Sequence, residues 1–86
     1  MSKIDKLLKR FLSKPKDFKY SELKTLMQSW GYREISLGKT SGSKVGFVND
    51  ETGHIIKIVK PHSKPVVKRY VLDRIETRLR ERGVIQ

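Results

Sequence analysis

The chain contains no cysteine. Disulfide staples and cysteine-based zinc sites are thereby excluded, and the composition suits a reducing compartment. Long apolar runs are missing too. No stretch approaches the roughly 20 residues needed to cross a bilayer. The opening residues, MSKIDKLLKRFLSK, lack both a continuous apolar segment and a small-residue cleavage site, so they do not read as a signal peptide. From these absences we expect a cytoplasmic protein. Acid is scarce as well: 9 Asp and Glu stand against 20 Lys and Arg, a net charge of +11. A field of that sign favours polyanions, nucleic acid foremost, with an acidic protein or an anionic membrane surface as competing partners. No paired carboxylates, metal-ligand cluster or Ser-His-Asp set is evident. Any chemistry is therefore expected to need no metal or cofactor and to use Lys, His, Ser or Arg.

What is present describes one small domain over residues 1–86. With 36% apolar and 34% charged residues the chain is suited to folding, around a thin core. Ile4, Leu7, Leu8, Phe11 and Leu12 recur at the spacing of an amphipathic helix over Lys3 to Lys14, with Ser2 as N-cap and Pro15 as stop. Its basic polar face allows a membrane-lying helix as an alternative to a core-packed one. A second helix carries Leu23, Leu26, Met27 and Trp30 on one face, with Ser21 as a candidate cap and Gly31 at the left-handed position that ends helices. Three strands follow, at Arg33 to Leu37, Lys44 to Asn49 and His54 to Lys60. Asn49 to Gly53 has turn composition, so the last two strands should form an antiparallel hairpin. Pro65 suits the first turn of a final helix that runs to about Arg82, with Tyr70, Leu72, Ile75 and Leu79 on its buried side and Gly83 closing it. The order α-α-β-β-β-α, with helices on one face of a three-stranded antiparallel sheet, is an α+β fold.

Gly38-Lys39-Thr40 has the look of a phosphate-gripping loop. Such a loop needs a glycine at position 33, where Arg33 stands, and it must lead into a helix rather than a strand. A hairpin loop is the simpler reading. The basic residues are more telling. Lys57, Lys60, Lys64, Lys68 and Arg69 fall within one stretch that holds His62 and no acid, and Lys39 and Lys44 lie across the hairpin from it. Solvated lysines are the plain reading of such a run, and a phosphate-binding surface is the functional one. His54, at a strand start after a turn glycine, reads as an exposed polar residue. His62 sits among Lys60 and Lys64, which favour its neutral form near pH 7, the form a general base for RNA cleavage requires.

The stretches SELKTLMQSWGYREISLGKTSGSKVGFVND and IIKIVKPH, followed by KPVVKRYVLDRIETRLRERGVI, resemble the HicA toxins of bacterial HicAB toxin–antitoxin systems. The resemblance covers Tyr20 to Ile85. It rests on a short helix ending in Gly-aromatic, a Gly-Ser-X strand start, a Pro-His after the third strand, and a final helix ending in Gly-hydrophobic-hydrophobic. Residues 1–15 look like an extra N-terminal helix added to the shortest members. The resemblance implies a fold like double-stranded-RNA-binding domains, endonuclease activity on mRNA, and a HicB-like acidic antitoxin that covers the active surface. It also implies a catalytic histidine after Gly-Ser at the start of the second strand. Here Gly42-Ser43 is followed by Lys44. A free lysine has a pKa of about 10.4, so making Lys44 a base at pH 7 would take about 4 kcal/mol. We therefore expect Lys44 to act as an electrostatic clamp on the scissile phosphate, His62 as the base for the 2′-hydroxyl, and Ser43 as an assistant. Lys39, Lys57, Lys60, Lys64, Lys68 and Arg69 are the expected RNA-binding residues. Two readings compete: an RNA-binding module without catalysis, and a basic scaffold for a protein partner.

Overall fold

The structure is a computed structural model that describes residues 3–37, 44–59 and 66–85. Helices α1 (Lys3–Ser13) and α2 (Tyr20–Ser29) precede strands β1 (Tyr32–Ser36), β2 (Lys44–Asn49) and β3 (Ile55–Val59), and helix α3 (Arg69–Glu81) follows. The fold is therefore α+β in the expected order α-α-β-β-β-α. The sheet is antiparallel with β2 at its centre.

Period-two alternation sorts the strands into two faces. Tyr32, Val45, Phe47, Ile56 and Ile58 are buried, and they meet Leu23, Leu26, Met27, Leu72, Ile75 and Leu79 from the helices in one core. The opposite face carries no helix among the described elements. The hairpin between β2 and β3 closes as its composition predicts. Asn49 Oδ1 accepts the backbone N–H groups of Glu51 (2.9 Å) and Thr52 (3.3 Å), and Gly53 takes a φ of 75°. Gly31 (φ 85°) ends α2 and Gly83 (φ 73°) ends α3, as expected of left-handed closing residues. Ile85, just beyond, turns back into the core.

Helix α1 is part of this core. Leu7 and Phe11 are buried, and Phe11 meets Phe18 and Trp30 edge-on at centroid distances of 6.1 and 6.3 Å. Its apolar face is thus occupied within the domain, which favours the core-packed alternative over the membrane-lying one. No described helix is long and apolar enough to cross a membrane. Just past α1, Lys14 adopts a φ of 54° and its amine bonds to Glu76 and lies 3.3 Å from Asp73, both on α3. Left-handed backbone costs a non-glycine residue about 1 kcal/mol. The ion pair at this half-buried junction offsets that cost and clasps the N-terminal helix to the C-terminal one.

Four details depart from the sequence reading. Leu12 is 38% exposed, because Ile4, Leu7, Leu8 and Phe11 already fill the buried stripe of α1. Ser21 does not cap α2: the cap stands two residues earlier, at Lys19, whose N–H donates to Glu22 Oε1 at 3.0 Å. The final helix starts at Arg69, four residues later than a start at Pro65 would give, and Pro65 itself lies outside the described residues. Val66 forms a β-bridge with Lys19, and Val67 donates its N–H to the Phe18 carbonyl at 2.7 Å, which holds this segment extended. Tyr70 is 65% exposed. At about 100° per residue it stands across the helix from Leu72, Ile75 and Leu79, the stripe that is buried.

Replacing Phe11 with alanine should cost about 3–5 kcal/mol, the usual range for removing a buried aromatic ring. Urea unfolding of Phe11→Ala measures it. An unchanged midpoint would mean that α1 is an appendage rather than part of the core.

Candidate nucleic-acid interface

Lys44 opens β2 and is exposed; its partner across the strand pair is Val59. Lys57 on β3 stands opposite Gly46. Strand parity places Lys44, Gly46 and Lys57 on the outer face, away from the helices. Lys44 and Lys57 are diagonal neighbours there, about 7–8 Å apart at the backbone, so both long side chains can reach one phosphodiester. Around them the face is apolar: Ile35, Leu37, Val48, Ile55 and Val59 share it, and Gly46 forms its floor. A Cβ at Gly46 would come within 3.3 Å of both Leu37 Cδ1 and Ile55 Cγ2, so the glycine lets these side chains close over the middle of the sheet. Arg33, on the same face, is tied to Asp50 at 2.8 Å.

Lys68 caps the start of α3 and Arg69 is its first residue; both are exposed. The direction of α3 follows from its far end. Arg78 and Arg82 act electrostatically on His54, which precedes β3. The start of α3 therefore lies toward the other end of β3, where Val59 pairs with Lys44. Lys44, Lys68 and Arg69 thus lie toward the same end of the domain, Lys44 and, a step along, Lys57 on the outer face of the sheet and Lys68 and Arg69 on the helical side. The positive end of the α3 backbone dipole lies at the same end. Ser43, Lys39, Lys60, His62 and Lys64 lie outside the described residues.

His54 does not stand free as the sequence reading expected. It is half-buried, its Nδ1 lies 2.8 Å from the Tyr32 hydroxyl, and the two rings meet edge-on at 5.9 Å. Burial, then Arg82 and Arg78, push its pKa below the ordinary histidine value. In the tautomer that carries its proton on Nε2, the neutral ring accepts the Tyr32 O–H at Nδ1. A proton on Nδ1 would remove that acceptor. Burial likewise raises the Tyr32 pKa, keeping the hydroxyl a donor. Sequence reasoning missed this pair because the partners are far apart in the chain and meet only through the sheet. Arg74 and Arg78 on α3 are both exposed. They stand one helical turn apart and, with His54, Ile55, Ile56 and Lys57, line a cleft of about 180 Å³ between β3 and α3. Their four-residue spacing was the available signal. Among the described residues, no three His, Asp or Glu side chains gather as metal ligands.

Compared with protein-family models, curated proteins and solved structures, the chain matches none.

The His54 environment gives a pH dependence of definite sign. Its lowered pKa means that the unfolded chain binds the proton more readily than the folded one. Its contribution to stability is complete above the unfolded value of about 6.5 and is lost as pH falls through the lower, folded value. Thermal melts should therefore show a fall in Tm between pH 7.5 and pH 5 that is smaller in His54→Gln than in the wild type. Equal pH slopes for both proteins would contradict this assignment.

Proposed function

We propose that the protein is a HicA-like toxin: an endoribonuclease that binds and cleaves mRNA in the cytoplasm and is neutralised by an acidic, HicB-like antitoxin. The observation that carries the reading is the exposed pair Lys44 and Lys57, diagonal neighbours on the open face of the sheet, with Lys68 and Arg69 exposed toward the same end of the domain as Lys44. The matching order of elements supports a fold of the double-stranded-RNA-binding type, which reads shape and backbone more than bases.

In this reading the cations hold the RNA backbone and Lys44 clamps the scissile phosphate. His62 takes the proton from the 2′-hydroxyl. The 2′-oxygen attacks the adjacent phosphorus, the bond to the 5′-oxygen breaks, and that oxygen takes a proton from solvent water, so that the products are a 2′,3′-cyclic phosphate and a 5′-hydroxyl end. Lys44 steadies the charge that grows on the phosphoryl oxygens in the transition state. Ser43 assists beside it.

A second reading keeps the same basic surface and drops the chemistry. It draws on one observation, that Lys44 occupies the place where the resemblance implies a catalytic histidine. Lysine binds phosphate well but ionises far above neutral pH.

Cleavage of a defined RNA by the wild type, Lys44→Ala and His62→Ala at several pH values separates the readings. The nuclease reading expects a loss of about 10²–10⁴-fold in His62→Ala and a wild-type inflection near pH 6–7. It expects Lys44→Ala to lose about 10²-fold in turnover. Wild-type protein that binds RNA and leaves it intact would establish the binding module instead. As a check in cells, expression alone should arrest growth, and an acidic neighbouring gene product should relieve the arrest.

A further inference from the structure

We propose that the outer edge of β3, together with Arg74 and Arg78 of α3, is a docking site for an acidic, extended segment of a partner protein, taken up as a fourth strand of the sheet. The inference is argued separately from the RNA reading, because it concerns the long edge of the sheet rather than the end that carries Lys44, Lys68 and Arg69; Lys57 borders both surfaces.

The backbone register supplies the first argument. β3 is an edge strand, paired only with β2 among the described strands. Asn49 donates its N–H to the His54 carbonyl at 2.9 Å, and hydrogen-bonded pairs alternate along an antiparallel ladder. Phe47 with Ile56 and Val45 with Ile58 are therefore the bonded pairs. Ile55 and Lys57 turn their N–H and C=O groups the other way, toward the open edge. Such an edge is a template for another strand, and natural proteins commonly cover it or guard it with charge.

The cleft supplies the second argument. Helix α3 does not close against this strand: a space of about 180 Å³ lies between Lys57 and Ile55 on one side and Arg74 and Arg78 on the other. Three of the six lining residues are cationic and none is acidic. Arg78 makes one loose, exposed contact with Glu81 at 3.5 Å, and Arg74 has no ion-pair partner among the described residues. An extended segment laid along β3 would place its backbone against Ile55 and Lys57, and its side chains within reach of the two arginines.

Charge decides the occupant. A second copy of this chain added at the same edge would set Lys57, Arg74 and Arg78 against themselves, a like-charge arrangement that disfavours pairing. An acidic strand meets the same three cations with the opposite sign. RNA fits the edge less well. Alternate groups along it are carbonyl oxygens, which repel phosphate, and Ile55, 41% exposed, offers an apolar contact that a nucleic-acid backbone does not use. A polypeptide strand presents both donors and acceptors at matching spacing.

The test uses a fluorescein-labelled octapeptide of alternating glutamate and valine, and the same peptide N-methylated at every peptide bond. The methylated peptide keeps the charges and loses the N–H donors. The docking site predicts saturable binding of the first peptide to the full chain, at least about tenfold weaker binding of the second, and at least about tenfold weaker binding of the first to the double variant Arg74→Gln, Arg78→Gln. Both arginines are exposed, and circular dichroism confirms that the variant folds. Bound peptide should also slow amide exchange at Ile55 and Lys57, whose N–H groups face the edge. Equal affinity for the two peptides, or unchanged affinity in the double variant, would overturn the proposal. So would no binding of the acidic peptide, or a single-stranded RNA dodecamer that displaces it and depends on the same two arginines. Failure of the RNA-cleavage assay leaves these readouts unaffected.

Discussion

Val45 and Phe47 point from β2 into the core, and the pleat therefore sends Lys44, Gly46 and Val48 out of the other side. Because β2 lies between the other two strands, its parity is imposed on both of them through the register. Tyr32 and Ile56 follow Phe47 inward. Ile35, Ile55 and Lys57 go outward with Gly46. A slip of one residue would bury Lys44 and expose Phe47, so the anchoring of Phe47 is also what presents the basic residues to solvent. The helices cover only the inner face. The outer face is left with a patch of aliphatic side chains and lysines around Gly46, and among the described strands β3 is paired on one side only.

A domain of this size buries little surface, so each contribution to the core matters. The chain extends its core by folding α1 over Phe18 and Trp30 and by bringing its two ends together. Lys14 and Glu76 join the end of α1 to α3. Hydrogen bonds from Lys14 and then Arg80 hold the Glu76 carboxyl below its usual range, while Glu76 raises the Lys14 pKa. The Lys19–Val66 bridge ties the segment before α2 to the one before α3. These long-range ties fix where α3 begins and so where Lys68 and Arg69 stand.

Much of the fold was legible locally. The alternation of Lys44 to Asn49, the Asn49 to Gly53 turn, and the glycines at 31 and 83 each act through near neighbours, and each appears where the residues place it. The misreadings share a cause. Proline at 65 is a good first helical residue, but a bridge to Lys19, distant in sequence, keeps the chain extended for several more residues. Tyr70 is apolar enough for a core, yet the helix has one buried stripe and Tyr70 is on the wrong side of it. His54 looked solvent-exposed because its partner, Tyr32, comes from another strand. Of the candidate site, Lys44, Lys57, Lys68 and Arg69 stand exposed, with Lys44, Lys68 and Arg69 toward a common end. The Arg74–Arg78 cleft needed the packing of α3 on β3 to be seen.

The central claim is that this end of the domain exists to hold an RNA backbone. Counterion release gives it a direct measure, since each phosphate contact to single-stranded RNA lowers the slope of log K against log salt by about 0.7. Titrating a single-stranded RNA at several salt concentrations, with wild type and with Lys44→Ala combined with Lys68→Ala and Arg69→Ala, is the measurement. The account predicts a steep wild-type slope that becomes shallower by about 2 units in the triple variant. A flat wild-type slope, or one the three substitutions leave unchanged, would contradict it.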